Sequence, residues 1–189
     1  MVDPAPLDDL ARSLFEQALL RGSFELRSGA VSDRYFDKYR ATTEPRLLRA
    51  LAGGLARLAR EHCPEAVAIV APALGAVPLA AGMSLELDLP FSIVRSDAKS
   101  YGTAQRIEGT VLAGQPALLI EDVITSGGAA LEALEVARAA GIHVSCVLCV
   151  LDRDGGGREA LAGVGATLHA LVDRTAMDLA FAQGLGTNA

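Results

Sequence analysis

Tryptophan is absent from this 189-residue chain, and aromatic residues of every kind supply only 4% of it. The 51% hydrophobic content therefore rests heavily on alanine and leucine, the composition of a soluble α/β protein. No uninterrupted apolar run is long enough to span a bilayer, which needs roughly 20 residues. The opening MVDPAPLDDLARSLFEQALL begins acidic and turns amphipathic, which is not the pattern of a secretory signal, so the expected compartment is the cytoplasm. Basic residues are outnumbered, 17 against 23, for a net charge of −6. That balance excludes a broad basic face for nucleic acid, but not a small cluster that grips a phosphorylated metabolite.

Cysteine is equally scarce: Cys63, Cys146 and Cys149. The last two have C-x-x-C spacing inside VSCVLCVLD, which reads as a buried strand. Positions three apart on a strand face opposite sides, so that pair suits neither a disulfide nor a metal, and both are expected to be inert core thiols. His62, His143 and His169 share no ligand-like spacing and are expected to be structural or superficial. Internal repeats and low-complexity linkers are missing too, so the length fits one domain with a sizeable core.

What is present is an alternation of strand and helix patterns. Leu7 to Arg21 carries apolar residues at helical spacing and ends at Gly22. Phe24 to Tyr39 reads as short strands with a turn, and Arg46 to His62 as a second helix. Short apolar strands at Ala66–Val70, Pro90–Val94, Pro116–Ile120 and His143–Asp152 are separated by helices beginning near Val77 and Ala129. Such alternation predicts a parallel sheet with helices on both faces. Residues 95–109 break it with a polar stretch too long to be a mere connection.

Ligands on such sheets bind beyond the carboxyl ends of the strands. Four loops are expected at that edge: 71–76, 95–109, 121–129 and 152–157. In the third, Glu121 and Asp122 precede Val123-Ile124-Thr125-Ser126-Gly127-Gly128 and a helix from Ala129. Hydroxyls and glycines at a strand-to-helix turn aim backbone N–H groups at an anion. The first loop, Ala-Pro-Ala-Leu-Gly-Ala, is small enough for a ligand to approach its backbone. The second carries Arg95, Lys99 and Arg106, with Gly102 and Gly109 as hinges, and the fourth offers Asp152 and Arg153 before three glycines. Separately these are turn acids, solvated charges and a turn cap. Together they describe a site for a multiply phosphorylated sugar.

Leu118 to Ala129 resembles the phosphoribosyl-pyrophosphate signature of type I phosphoribosyltransferases: an apolar strand, two acids, then V-I-T-x-G-G. Gly22-Ser-Phe-Glu-Leu-Arg-Ser-Gly29 with Tyr35-Phe36 is similar to the substrate-side segment of the orotate phosphoribosyltransferases. Arg95-Ser-Asp-Ala-Lys-Ser-Tyr-Gly-Thr103 resembles their mobile catalytic loop, and Val150-Leu-Asp-Arg153 their V-x-D-R segment. The likeness runs from about residue 7 to 175.

The resemblance implies one domain over 1–189: a small N-terminal hood at about 1–45, a core at about 46–175, and a mobile loop at about 95–109. It implies the type I phosphoribosyltransferase fold, a parallel sheet flanked by helices. It also implies transfer of phosphoribose from phosphoribosyl pyrophosphate to orotate, with Mg²⁺, in a homodimer whose loop reaches the neighbouring subunit. Lys99 and Asp122 become the catalytic residues. Arg95, Ser96, Lys99, Tyr101, Glu121, Asp122, Val123, Ile124, Thr125, Ser126, Gly127, Gly128 and Ala129 become the donor site. Thr125, Arg153, Arg27, Tyr35 and Phe36 become the orotate contacts. The metal is held mainly by substrate, with Glu121 and Asp122 as protein contributors.

The chain also departs from the family's basic pattern. Arg95 is followed by Ser96 where a second basic residue is usual, Tyr101 stands for a histidine, and Arg27 for a lysine. Gly75 stands where some members carry a lysine in the pyrophosphate loop, with Lys38 and Arg106 as candidate replacements for the lost cations. Two other functions stay open at this point. One is transfer to a purine base, and the other is a nucleotide sensor that kept the sugar-phosphate site without catalysis.

Overall fold

The computed structural model describes residues 7–25, 29, 31–96, 106–110 and 113–188. The first helix, α1 (Asp9–Ala18), opens where the Asp8 carboxylate accepts the Ala11 N–H at 2.7 Å. It buries Ala11, Leu14, Phe15 and Ala18 on one face. The helical spacing continues on paper to Arg21, but the chain changes to strand β1 (Leu19–Glu25). Leu19 and Leu20 pair antiparallel with Phe36 and Tyr35 of β2 (Val31–Phe36), and that tertiary pairing overrides the local period.

A short helix that the sequence pattern does not announce follows, α2 (Lys38–Thr43), capped by Asp37. Then come α3 (Pro45–His62), β3 (Ala68–Pro72), α4 (Val77–Leu87), β4 (Phe91–Val94) and β5 (Ile107–Gly109). The second half is β6 (Pro116–Ile124), α5 (Gly128–Ala139), β7 (His143–Asp152), α6 (Gly157–Gly163), β8 (Thr167–Asp173), α7 (Arg174–Ala182) and β9 (Thr187–Asn188).

The main sheet has the order β5-β4-β3-β6-β7-β8, parallel except for the β4–β5 pair. A second sheet, β2-β1-β9, forms the hood, and its third strand comes from the C-terminal end. The hood is therefore not made by residues 1–45 alone. Arg21 and Arg34 stack over the Phe181 ring, 4.0 and 4.2 Å from its centre, which ties α7 to the hood.

Strand alternation divides the core between two layers. Ile69, Ala71, Leu118, Ile120, Leu148 and Val150 pack toward α1, α3, α4 and α7. Ala68, Val70, Leu119, Val147 and Cys149 pack toward α5 and α6. Cys146 and Cys149 thus do face opposite layers, and Cys149 is a free buried thiol whose pKa is pushed far up, first by burial. Cys146 corrects the expectation of two inert thiols. It is bonded as a disulfide to Cys63 at the end of α3, Cα to Cα 6.0 Å, a partner 83 residues away that no local spacing could reveal.

The chain winds outward from β3 to β4 on one side and from β6 through β7 to β8 on the other. The crevice at the carboxyl ends of β3 and β6 is the switch point where open α/β sheets receive ligands. The loops singled out after β3, β6 and β7 sit on this edge, and so do Arg95 and Ser96 after β4.

Candidate active site

Strand β6 does not stop at Ile120 but runs on to Ile124, so Glu121 and Asp122 are strand residues rather than turn residues. Both are buried, 6% and 4% exposed, and successive strand residues send them to opposite faces. Glu121 and residues 123–130 line one cavity of about 190 Å³. It is walled by the N-terminal turn of α5, whose cap, Gly127, has φ +80°, a conformation that glycine adopts freely. Thr125, Ser126, Gly128 and Ala129 are exposed at its mouth. Burial, then the charge of Asp122, pushes the Glu121 pKa up to about 8.

Asp122 turns instead toward the loop after β3. Its Oδ1 accepts the Val123 N–H at 2.6 Å, and its Oδ2 faces the Lys38 ammonium at 2.9 Å. At this distance the two form an ion pair between a partly exposed lysine and a buried carboxylate. Burial works against the Lys38 charge, but contact with Asp122, helped by Tyr39 and Glu121, outweighs it and raises the pKa. Gly75 closes the third side of this pair. A Cβ there would lie 2.8 Å from the Asp122 Cγ and 2.9 Å from the Lys38 Nζ.

The turn after β7 is laced to the turn after β6. The Arg153 N–H donates to the Ile124 carbonyl at 2.8 Å, and the Gly157 N–H to the Thr125 carbonyl at 2.9 Å. Gly155 and Gly157 pack directly on Thr125 and Ile124, where any side chain would collide, and Gly156 between them has φ +87°, a conformation that favours glycine. This brings Thr125 and the half-buried Arg153 together. Asp152 supports the same turn, accepting the Asp154 N–H at 3.0 Å and the Arg158 guanidinium at 2.8 Å.

At the end of β4, the Arg95 N–H donates to the Arg106 carbonyl at 2.9 Å. Arg106 folds its guanidinium back onto the carbonyls of Arg95 (3.1 Å) and Ser96 (2.8 Å), and pairs with Glu132 of α5. It is thus a clasp for the two ends of the 95–109 segment, not a spare cation. The clasp borders the loop after β3 and Ala129, sharing a small cavity of about 50 Å³ with them.

Arg95, Ser96, Thr125, Arg153 and the Glu121–Ala129 run therefore gather on one edge. Tyr35 stays 45% exposed on the hood beside Phe24, whereas Phe36 is buried with its ring edge-on to Phe15 and is not brought to the site. Lys99, Tyr101 and Arg27 lie outside the described residues. Lys38 is the site residue that the sequence least announces. From the sequence it is only one candidate for the lost cations, and no motif marks it; in the fold it directly follows Asp37, the cap of a six-residue helix.

Residues 42–163 match the family described as Phosphoribosyl transferase domain. The chain is 42% identical over 173 residues to an orotate phosphoribosyltransferase of Halobacterium salinarum, covering 91% of this chain and 95% of that protein. It is 50% identical over 151 residues to one of Methanoculleus marisnigri, covering 80% and 85%. The crystal structure of orotate phosphoribosyltransferase from Aeropyrum pernix superposes with a TM-score of 0.83 at 30% identity, over 93% of this chain and 99% of that one.

Proposed function

Because the chain belongs to the orotate phosphoribosyltransferases, within the phosphoribosyl transferase domain family, we propose that it transfers phosphoribose from phosphoribosyl pyrophosphate to orotate. The products are orotidine 5′-phosphate and pyrophosphate, a step of pyrimidine synthesis. The observation that carries this reading is the single cavity lined by Glu121 and residues 123–130 at the switch point of the sheet.

The 5′-phosphate rests on the turn from Thr125 to Ala129, where N–H groups at the start of α5 and two hydroxyls converge. Glu121 and Asp122 serve the ribose hydroxyls. As the bond from C1 to the pyrophosphate oxygen breaks, positive charge develops on the sugar, and Asp122 stabilises it with a negative charge already in place. A ring nitrogen of orotate bonds to C1 and gives up its proton. Arg95, with Ser96, Lys99 and Tyr101, receives the departing pyrophosphate, and closure of residues 95–109 excludes water. Arg153 offers a planar fork to orotate's carboxylate or ring carbonyl, with Thr125 beside it and Arg27 and Tyr35 on the hood side.

The donor set fits a metal borne by the substrate. Glu121 shares the cavity with the turn and can add one carboxylate, and Asp122 borders the loop after β3, which suits an ion that keeps phosphate and water ligands. Mg²⁺ held so would supply neutralisation of the pyrophosphate charge. The working protein is a cytoplasmic homodimer whose 95–109 segments complete the neighbouring sites.

The test is ultraviolet loss of orotate with phosphoribosyl pyrophosphate and Mg²⁺, beside uracil, adenine and xanthine. Consumption of orotate alone is expected. Consumption of adenine or xanthine instead, or donor binding with no base consumed, would overturn the reading in favour of a purine enzyme or a sensor.

A further inference from the structure

The Lys38–Asp122 pair joins the hood to the core at the site, and three features show it to be built. Asp37 caps α2, accepting the Tyr39 N–H at 3.0 Å, which fixes Lys38 as the first residue of that helix. The Asp122 carboxylate is held from two sides, by the Val123 N–H at 2.6 Å and by the Lys38 ammonium at 2.9 Å. Gly75 leaves just the space the pair occupies, since a Cβ at 75 would strike both partners. The Lys38 side chain is 39% exposed and that of Asp122 only 5%, so the lysine bridges a buried carboxylate and the open edge of the site.

Resting on the reading above, we propose that Lys38 is a positioning residue that acts through Asp122, and that residue 75 is glycine so that this pair can form. Asp122 has one carboxylate oxygen committed to its own strand. Without Lys38 the other oxygen has no cationic partner among the described contacts, and the carboxylate is free to turn away from the sugar. Misplacement of a reacting group by about 1 Å costs on the order of 10²-fold in rate. Lys38 thereby supplies from the hood an ordering that the small loop 73–76 has no side chain to give.

The experiment is a double-mutant cycle on orotate turnover with wild type, Lys38→Met, Asp122→Asn and the double variant, plus Lys38→Arg and Gly75→Ala. Lys38→Met is expected to lower kcat by roughly 10- to 100-fold with a smaller change in donor KM. In the Asp122→Asn background it should add little, Lys38→Arg should restore part of the rate, and Gly75→Ala should reproduce the loss. Equal losses in both backgrounds, or a change confined to KM, would overturn the proposal. Wild-type turnover of orotate tests the functional reading separately. Thermal midpoints of the same four proteins report the pair without any turnover, and additive midpoint shifts would overturn it as well.

Discussion

The Gly157 amide donates to the Thr125 carbonyl at 2.9 Å, so the turn after β7 holds the turn after β6 in shape. The two turns touch so closely that a Cβ on Gly157 would lie 2.8 Å from the Thr125 oxygen and 3.1 Å from the Gly127 nitrogen.

Gly157→Ala should therefore distort the turn proposed to hold the 5′-phosphate, although residue 157 is not among the proposed phosphate contacts. Donor affinity is expected to fall about tenfold, roughly 1.4 kcal/mol. Calorimetric titration with phosphoribosyl pyrophosphate measures it. An unchanged dissociation constant would mean that the turn absorbs the added Cβ without losing its shape.

Glu121 makes stability depend on pH. Its folded-state pKa is raised from 4.5 to about 8, so its contribution is fully present below pH 4.5. It is lost as pH rises toward 8, because the unfolded chain ionises there while the folded one resists. Glu121→Gln cannot ionise, so its thermal midpoint should gain on wild type steadily between pH 5 and about 8. Parallel midpoint curves for the two proteins would refute the shift.

Arg106 and Glu132 should differ in importance although they are partners. Arg106 also holds the Arg95 and Ser96 carbonyls, whereas the half-exposed ion pair alone contributes at most about 1 kcal/mol. Arg106→Leu should lower kcat/KM by more than tenfold, and Glu132→Gln by less than about threefold. Steady-state kinetics on both variants decides; equal effects would assign the function to the ion pair.

Lys99 carries the other strong expectation. Lys99→Ala should nearly abolish turnover and leave the circular dichroism spectrum and thermal midpoint unchanged. Turnover close to wild type would remove Lys99 from the catalytic role.

Much of this site was legible because its chemistry is local in the chain. Leu118 to Ala129 carries an apolar strand, two acids, hydroxyls and glycines in one uninterrupted run, and the run folds as one strand, turn and helix. The Arg153 segment was legible for the same reason. Glu121 and Asp122 were legible as acids but not as buried strand residues. The strand's extension to Ile124 follows from pairing with Leu148 to Asp152 of β7, which lies outside any local window. The first helix ended early for a like reason, when Leu19 and Leu20 were taken by β2.

The alternation of strands and helices between Arg46 and Asp152, the acid pair and the glycine-rich turns belong to the sequence by itself, since backbone preference and side-chain period act over a few residues. Only the tertiary structure decided which groups meet. Cys63 found Cys146, Arg106 became a clasp, and Lys38 crossed from the hood to Asp122 across a space that Gly75 leaves open. Cys63 and Cys146 stand 83 residues apart and Arg106 and Glu132 26 apart, and burying an acid such as Asp122 makes the choice of partner matter. A charge removed from water must find a counter-charge, and the packed fold alone determines which one lies within reach.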